Sequence, residues 1–219
     1  MIRASRLIGL FSSFPIFLSL IAAQNNTGVT VVRWADGNPG CTFSADDDGK
    51  YRYGIWTDDW GLVIAVDADE VRKTKLRIEP LFALWITVHY RGNDDLLVNP
   101  AEFTLEFVDH YHTLQKAVDP DEFAGMLQAK ESAGSNNKTQ KTSLTETAQF
   151  VKSHALRAIR LDGQNSQASG WIFFSAKSKW IGNWKAQEQF VLRAPIGARA
   201  LEFPFALPPG RGDLLLRRR

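Results

Sequence analysis

The amino-acid sequence predicts a mainly β protein, an antiparallel β-sandwich of two sheets with a two-helix insertion. Two segments carry this prediction. From Phe82 to Tyr90 every even position is apolar, and from Glu102 to Phe107 the alternation returns in the opposite parity. A period of two places each apolar set on one side of a strand, so each strand has one face against a core. About seven to nine strand-like segments separated by turn formers are typical of a sandwich and not of a doubly wound sheet.

The residues around these two segments indicate how the strands begin and end. Gly92 to Asp95 interrupt the first segment, and Asn99-Pro100 precedes the second; such residues favour turns. We therefore expect two long antiparallel strands joined as a hairpin. Pro80 cannot donate to a ladder, so the first strand is expected to begin after it. For the same reason the last strand, which contains Pro204, is expected to lie at the edge of a sheet or to end there.

Further strands are predicted on both sides of the hairpin from runs of apolar, aromatic and β-branched residues. Turn formers separate them, as expected for an all-β domain. The predicted strands are Val29–Trp34, Thr42–Phe43, Tyr51–Thr57, Gly61–Val66, Trp171–Ser175, Glu188–Arg193 and Ala200–Phe205.

Two helices are predicted as an insertion between strands. Asp119 can cap the first helix, Pro120 fits its first turn, and two acidic residues follow near the positive end of the helix dipole. The segment Ser143–Glu146 has the spacing of a capping box and predicts a second helix that runs to about Arg160. The polar stretch Ser132–Thr142 between them is expected to be a loop.

The N-terminus has the pattern of an export signal. Two arginines precede an apolar core, Leu7–Ile21, and the small pair Ala22-Ala23 follows it. This pattern predicts a signal peptide over residues 1–23. An uncleaved membrane anchor is the alternative, and Pro15 and the short apolar length count against it, because a spanning helix needs about 20 apolar residues.

These features together predict the domain organisation. We expect one β-sandwich domain over residues 24–210, with the helical insertion at 119–161 and a basic tail at 211–219. Without its signal the protein would have no integral membrane span and would be secreted or periplasmic.

Charge and motifs exclude several classes of function. Removal of residues 1–23 takes away two arginines, so that 26 basic residues become 24 against 24 acidic ones. A formally neutral chain argues against nucleic acid as a partner, which needs a concentrated basic face. The single cysteine, Cys41, excludes an intrachain disulfide. No G-x-S-x-G, H-E-x-x-H, C-x-x-C or phosphate-binding glycine loop is present, so we predict no catalytic residue and no cofactor.

A loop with alternating aromatic and basic residues is the first candidate site. Trp180 and Trp184 lie among lysines that include Lys179 and Lys185. Such a loop could stack a sugar ring or meet an anionic surface. The alternative is that its tryptophans cover the end of a core, as buried tryptophans at strand connections do. Other residues that would add to an aromatic face are Trp56, Trp60 and Trp85.

Three histidines form the second candidate site. His110 and His112 are two residues apart, so in an extended segment their imidazoles point the same way and could share a metal ion. His89 lies on the strand expected to face them. A structural zinc site needs about four ligands, and the sequence does not identify the rest. A solvated strand end is the alternative.

The strand regions resemble a group of bacterial exported immunoglobulin-like domains of unknown function. The resemblance rests on a long strand with a polar turn, ALWITVHYRG, followed by LLVNPAEFTLEF, and on the late segments GWIFFS and LEFPF. It implies an immunoglobulin-like β-sandwich and an exported location. It implies no catalytic residue, and the helical stretch departs from it.

The sequence therefore favours an exported, non-catalytic β-sandwich that binds a protein or a component of the cell envelope. The alternative is a metal-binding protein or metal-dependent hydrolase that uses His89, His110 and His112.

Overall fold

The computed structural model describes residues 30–45, 50–67, 80–134, 138–177, 180 and 187–207. Within these residues the protein is mainly β, with twelve strands, two α-helices and a short 3-10 turn at Pro100–Glu102. The helices are α1 (Pro120–Gly134) and α2 (Lys138–His154). The strands are β1 (Thr30–Arg33), β2 (Cys41–Ala45), β3 (Lys50–Trp56), β4 (Trp60–Asp67), β5 (Leu81–Tyr90), β6 (Leu96–Val98), β7 (Thr104–Phe107), β8 (Thr113–Lys116), β9 (Ile159–Leu161), β10 (Gln167–Ser175), β11 (Glu188–Ile196) and β12 (Arg199–Leu207). The predicted signal peptide and the predicted basic tail lie outside the described residues.

Ten of these strands form two five-stranded sheets. The first sheet has the order β1-β12-β11-β7-β8, and the second has the order β10-β5-β4-β3-β2. All neighbours within the two sheets are antiparallel except β1, which runs parallel to β12. The remaining strands, β6 and β9, pair with each other.

The two sheets face each other across one hydrophobic core. Phe82 of β5 is fully buried, and its ring centroid lies 4.9 Å from that of Phe190 in β11. The rings of Phe107 in β7 and Phe205 in β12 lie 5.9 Å and 6.2 Å away. The predicted parity is confirmed, because every even position from Phe82 to Tyr90 is buried in this core.

The predicted hairpin between the two patterned segments is wrong. β5 pairs with β10 and β4, whereas β7 pairs with β11 and β8, so the two strands lie in opposite sheets. The second strand is also shorter than expected, because Asn99 caps the 3-10 turn that precedes it. Alternation predicts which side of a strand is buried but not which strand lies beside it.

The prediction that the strand of Pro204 lies at an edge or ends there is also wrong, since β12 lies between β1 and β11 and continues to Leu207. The Trp34 amide donates to the Glu202 carbonyl, so the Glu202 backbone faces β1. Pro204, two residues on, points its nitrogen to the same side. The register of β1 ends opposite Glu202. The missing N–H therefore removes no bond of the β1–β12 ladder.

The first helix begins as predicted. One carboxylate oxygen of Asp119 accepts from the amides of Asp121 and Glu122, each at 2.9 Å. This satisfies two of the amides that a helix start leaves unpaired.

The predicted limits of the second helix are wrong at both ends. α2 begins at Lys138, so the expected loop is largely helical and the capping-box residues lie inside the helix. It ends at His154, because the Leu156 amide donates to the Trp171 carbonyl at the edge of β10. Local capping patterns are weaker than this tertiary contact.

The helices cover one end of the outer side of the second sheet. Apolar side chains of both helices pack there, among them Phe123, Leu127 and Val151, against Ala83 and Phe173 of the sheet. Among the described residues no helix is both long and apolar enough to span a bilayer.

Candidate functional site

The outer side of the second sheet carries three partly exposed tryptophans beside the area that the helices cover. Trp56 belongs to β3, Trp85 to β5 and Trp171 to β10. We call the surface formed by Trp56, Trp85, Thr87, His89 and Trp171 the aromatic face. Strand alternation places all five outward, because their neighbours along the strands are core residues.

The Trp56 indole lies flat on the sheet because two glycines leave room for it. A Cβ added at Gly61 would lie 2.5 Å from Cζ3 and 2.9 Å from Cδ2 of the indole, and one at Gly54 would lie 2.9 Å from Nε1. The indole Nε1 donates to the Thr42 hydroxyl at 3.2 Å, and the His89 ring lies 5.3 Å away at 30°. One face of the indole is therefore against the backbone, and the opposite face points outward.

Besides the Trp56–His89 pair, a second pair of aromatic rings lies on the aromatic face. The Trp85 and Trp171 rings meet edge to face, with centroids 5.4 Å apart. They lie four residues from the row of Trp56 and His89 along the strands, which is about 13 Å at the usual rise. The row of residues between these two aromatic groups has small side chains, most of which carry a hydroxyl group. It consists of Thr42, Gly54, Val63, Thr87 and Ser169.

Trp60, which the sequence suggested for an aromatic face, lies on the other side of the sheet. It is only 7% exposed and belongs to the core. The assignment to the face is wrong because Trp60 has the parity of the buried residues Leu62 and Ile64. The Arg199 guanidinium covers its ring at 5.7 Å.

The three predicted metal ligands have separate partners. His89 lies in β5 beside the flat indole described above. His110 Nε2 is 3.0 Å from a Glu188 carboxylate oxygen, and His112 Nδ1 is 2.6 Å from one of Glu106. Within the ranges that the structure describes, no group of three or more His, Cys, Asp or Glu residues could hold a metal ion. A metal shared by the three histidines stays a prediction without support from these contacts.

The predicted aromatic and basic loop is described at two residues, Lys177 and Trp180. Trp180 is 6% exposed, and its ring lies 5.1 Å from Phe107 and 4.7 Å from His110, on which it stacks. It therefore covers the end of the core, which is the alternative given above, and its ring is not open to a ligand. The other candidate residues, Lys179, Trp184 and Lys185, lie outside the described residues.

A row of alternating charges crosses the outer side of the first sheet. Arg33 contacts Glu202 at 3.0 Å, Glu202 contacts Arg193 at 3.0 Å, and Arg193 contacts Glu106 at 2.5 Å. Burial raises the pKa of the Glu106 carboxyl, but hydrogen bonds with His112 and Arg193 outweigh it and hold that pKa below its usual 4.5. These charges are directed at one another, so the row is a structural network.

A cavity of about 380 Å³ lies between the start of α1 and the edge of β10. The charged groups at its rim already have internal partners. Asp119 caps α1, and Arg157 binds the Asp121 carboxylate at 2.6 Å. The cavity therefore directs no spare charged group at a ligand. Other lining residues are Pro100, Ala117, Leu156 and Phe173.

The flat orientation of the Trp56 indole and the place of Trp171 on the aromatic face were not predicted from the sequence. A signal for the first was present, because Gly54 and Gly61 interrupt two strand-like segments on either side of Trp56. Glycine inside a strand often marks a close approach to the backbone. The approaching group here is an indole, which the sequence alone does not identify.

Comparisons with known proteins give little more. No protein-family model matches the chain, and no curated protein matches it. One solved structure with a detectable likeness is described as a "putative lipoprotein (ycdA)" from Bacillus subtilis, at 12% identity and a TM-score of 0.36. The alignment covers 83% of this chain and 42% of that chain, so this chain spans less than half of it. At that TM-score the likeness carries no argument about fold or function.

Proposed function

We propose that this protein is an exported, non-catalytic β-sandwich of immunoglobulin-like topology. It binds a component of the cell envelope or extracellular space through the aromatic face. The flat Trp56 indole, which packs over Gly54 and Gly61 and is partly exposed, is the observation that carries the proposal.

The strand order supports an immunoglobulin-like assignment. In chain order β5, β7, β8, β10, β11 and β12 take the places of strands B, C, C′, E, F and G. The run β12-β11-β7-β8 is then G-F-C-C′, and β5 lies beside β10 as B lies beside E. The insertion with α1 and α2 falls between C′ and E, where strand D would lie. The strands β2, β3 and β4 extend the second sheet on the side of strand A.

Export rests on the sequence of the first 23 residues. A short basic region, an apolar core and two small residues form the pattern of a cleaved signal. A sandwich with a single cysteine, Cys41, needs no disulfide in an oxidising compartment.

A binding role suits the aromatic face because Trp56 and Trp85 are partly exposed there, outside the cluster in which Trp171 packs beside the helices. Exposed aromatic clusters on a rigid sheet are typical of recognition surfaces, since rigid rings lose little entropy on binding. Several described charged residues form mutual ion pairs, as in Glu106–Arg193 and Asp121–Arg157. Such pairs support a structural role over a catalytic one.

Binding of the purified mature chain to immobilised envelope fractions tests the proposal. We expect Trp56→Ala and Trp85→Ala each to weaken binding. Leu114→Ala is the matched control, because this side chain is 58% exposed on the first sheet. Trp184→Ala tests the predicted loop in parallel. If both variants of the aromatic face bind as the parent does, the face is not the binding surface.

A further inference from the structure

We infer that the aromatic face binds a neutral polysaccharide of β-1,4-linked pyranose units, with one sugar ring stacked on Trp56. This inference rests on the proposed function and names the ligand of the same surface. It follows from the orientation of the Trp56 indole, from the hydroxyl groups in the row beside it and from the low charge of the aromatic face.

The orientation of the Trp56 indole favours a ligand with a flat surface. Packing on Gly54 and Gly61 fixes the ring parallel to the sheet, with its π-face outward. The π-face of an indole is electron-rich. The axial C–H groups on one side of a pyranose ring are weakly positive and coplanar, so the two surfaces complement each other.

The rows beside the indole favour hydroxyl groups on the ligand. Thr42, Thr87 and Ser169 lie in the row next to Trp56, and Gln167 lies in the row of Trp56 itself. Hydroxyl and amide side chains donate and accept hydrogen bonds, as sugar hydroxyls do. Thr42 and Ser169 are exposed and Thr87 is half-buried, so these groups line the open surface.

The extent of the face favours a chain over a single sugar. Two residues separate successive outward rows, about 7 Å at the usual rise of a strand. The Trp85–Trp171 pair lies two rows beyond the Trp56 row and offers a second apolar contact. A β-1,4 linkage keeps pyranose rings in an extended ribbon, which suits a flat surface. An α-1,4 linkage coils the chain away from it.

The charge of the face favours a neutral ligand. In the three outward rows that contain Trp56, Thr87 and Trp85, Arg52 is the one lysine, arginine, aspartate or glutamate among the described residues. Nucleic acid or an anionic lipid surface would require a cluster of basic residues. Charge complementarity therefore selects an uncharged chain.

Calorimetric titration with cellohexaose, chitohexaose and maltohexaose tests the ligand class. We expect binding of at least one β-1,4 hexaose and none of the α-1,4 one. Trp56→Ala should weaken affinity roughly tenfold, the magnitude expected for one aromatic stack. Trp56→Phe should restore part of it. Gly61→Ala should weaken it similarly, because the added methyl lifts the indole without removing it. Leu114→Ala should leave affinity unchanged.

Three results would overturn the inference: no binding of either β-1,4 hexaose, equal binding of maltohexaose, or full affinity in Trp56→Ala. Envelope digested with cellulase and chitinase together separates this failure from failure of the proposed function. If Trp56-dependent binding to the envelope survives this digestion, the glycan inference is wrong and the binding face stands. If untreated envelope shows no Trp56-dependent binding, the face itself is wrong. Thermal melting confirms that each variant is folded.

Discussion

Replacement of Phe82 by alanine tests whether the two sheets share one core. The ring is fully buried in β5 and touches aromatic rings from three strands of the opposite sheet, those of Phe107, Phe190 and Phe205. Its loss leaves a cavity walled by rigid rings, which collapse poorly. We expect a loss in unfolding free energy near the top of the usual range for Phe→Ala, about 4–5 kcal/mol.

Thermal and guanidinium unfolding followed by circular dichroism measures this loss. For a chain of this size 1 kcal/mol corresponds to roughly 2–4 °C, so the melting temperature should fall by about 8–20 °C. Phe82→Leu keeps an apolar side chain and should cost less, about 1–2 kcal/mol. Val31→Ala is the control, because Val31 is 59% exposed on the first sheet and should change stability by less than about 0.5 kcal/mol.

A loss below about 1 kcal/mol for Phe82→Ala would refute this reasoning, since buried aromatic residues cost more. It would mean that the two sheets do not meet at β5. A variant that fails to fold would still leave Phe82→Leu as the graded measurement, with the same order of effects expected.

Three further predictions concern other contacts. Glu106→Gln should flatten the pH dependence of stability: its lowered pKa stabilises the fold above pH 4.5, and this is lost as pH falls through that pKa. An unchanged acid slope in denaturant titrations would contradict the pairing of Glu106 with Arg193. Gly170→Ala should lower the free energy of unfolding by about 1–3 kcal/mol, since its Cβ would lie 2.8 Å from the Leu156 amide nitrogen. A variant with the melting temperature of the parent would contradict this close contact. Zinc should cause no His110-dependent thermal shift; a stoichiometric shift abolished by His110→Ala would support the metal alternative.

The fold could be predicted from sequence where one local pattern decided the outcome. The period of two from Phe82 to Tyr90 identifies the buried side of β5, because a strand has only two sides. The cap at Asp119 identifies the start of α1 because the bonds it makes are local.

Pairing and short elements could not be predicted, because they depend on distant residues. β5 and β7 present the same apolar sides whether they pair or face each other across the core. Strands β6, β8 and β9 have three or four residues each, too few for a period to appear. The end of α2 is set by Leu156 bonding to β10, a contact that no local capping pattern predicts.

The candidate site was predicted only in part. Trp56 and Trp85 were recognised as aromatic residues of a possible surface, and both are partly exposed on the outer side of the second sheet. Trp60 and Trp180 proved to be core residues. A tryptophan is large and amphipathic, so its type does not tell which side of a strand or loop it occupies. Its parity relative to known core residues does, as at Trp60.

The ligand is expected to contact the protein at Trp56. The seven indole N–H signals in a ¹H–¹⁵N correlation spectrum report on this directly, since the chain has seven tryptophans. On titration with the hexaose that binds, we expect the Trp56 signal, assigned with Trp56→Phe, to move and the buried Trp34 and Trp60 signals to stay in place. A Trp56 signal that stays fixed while the Trp184 signal moves would contradict this expectation.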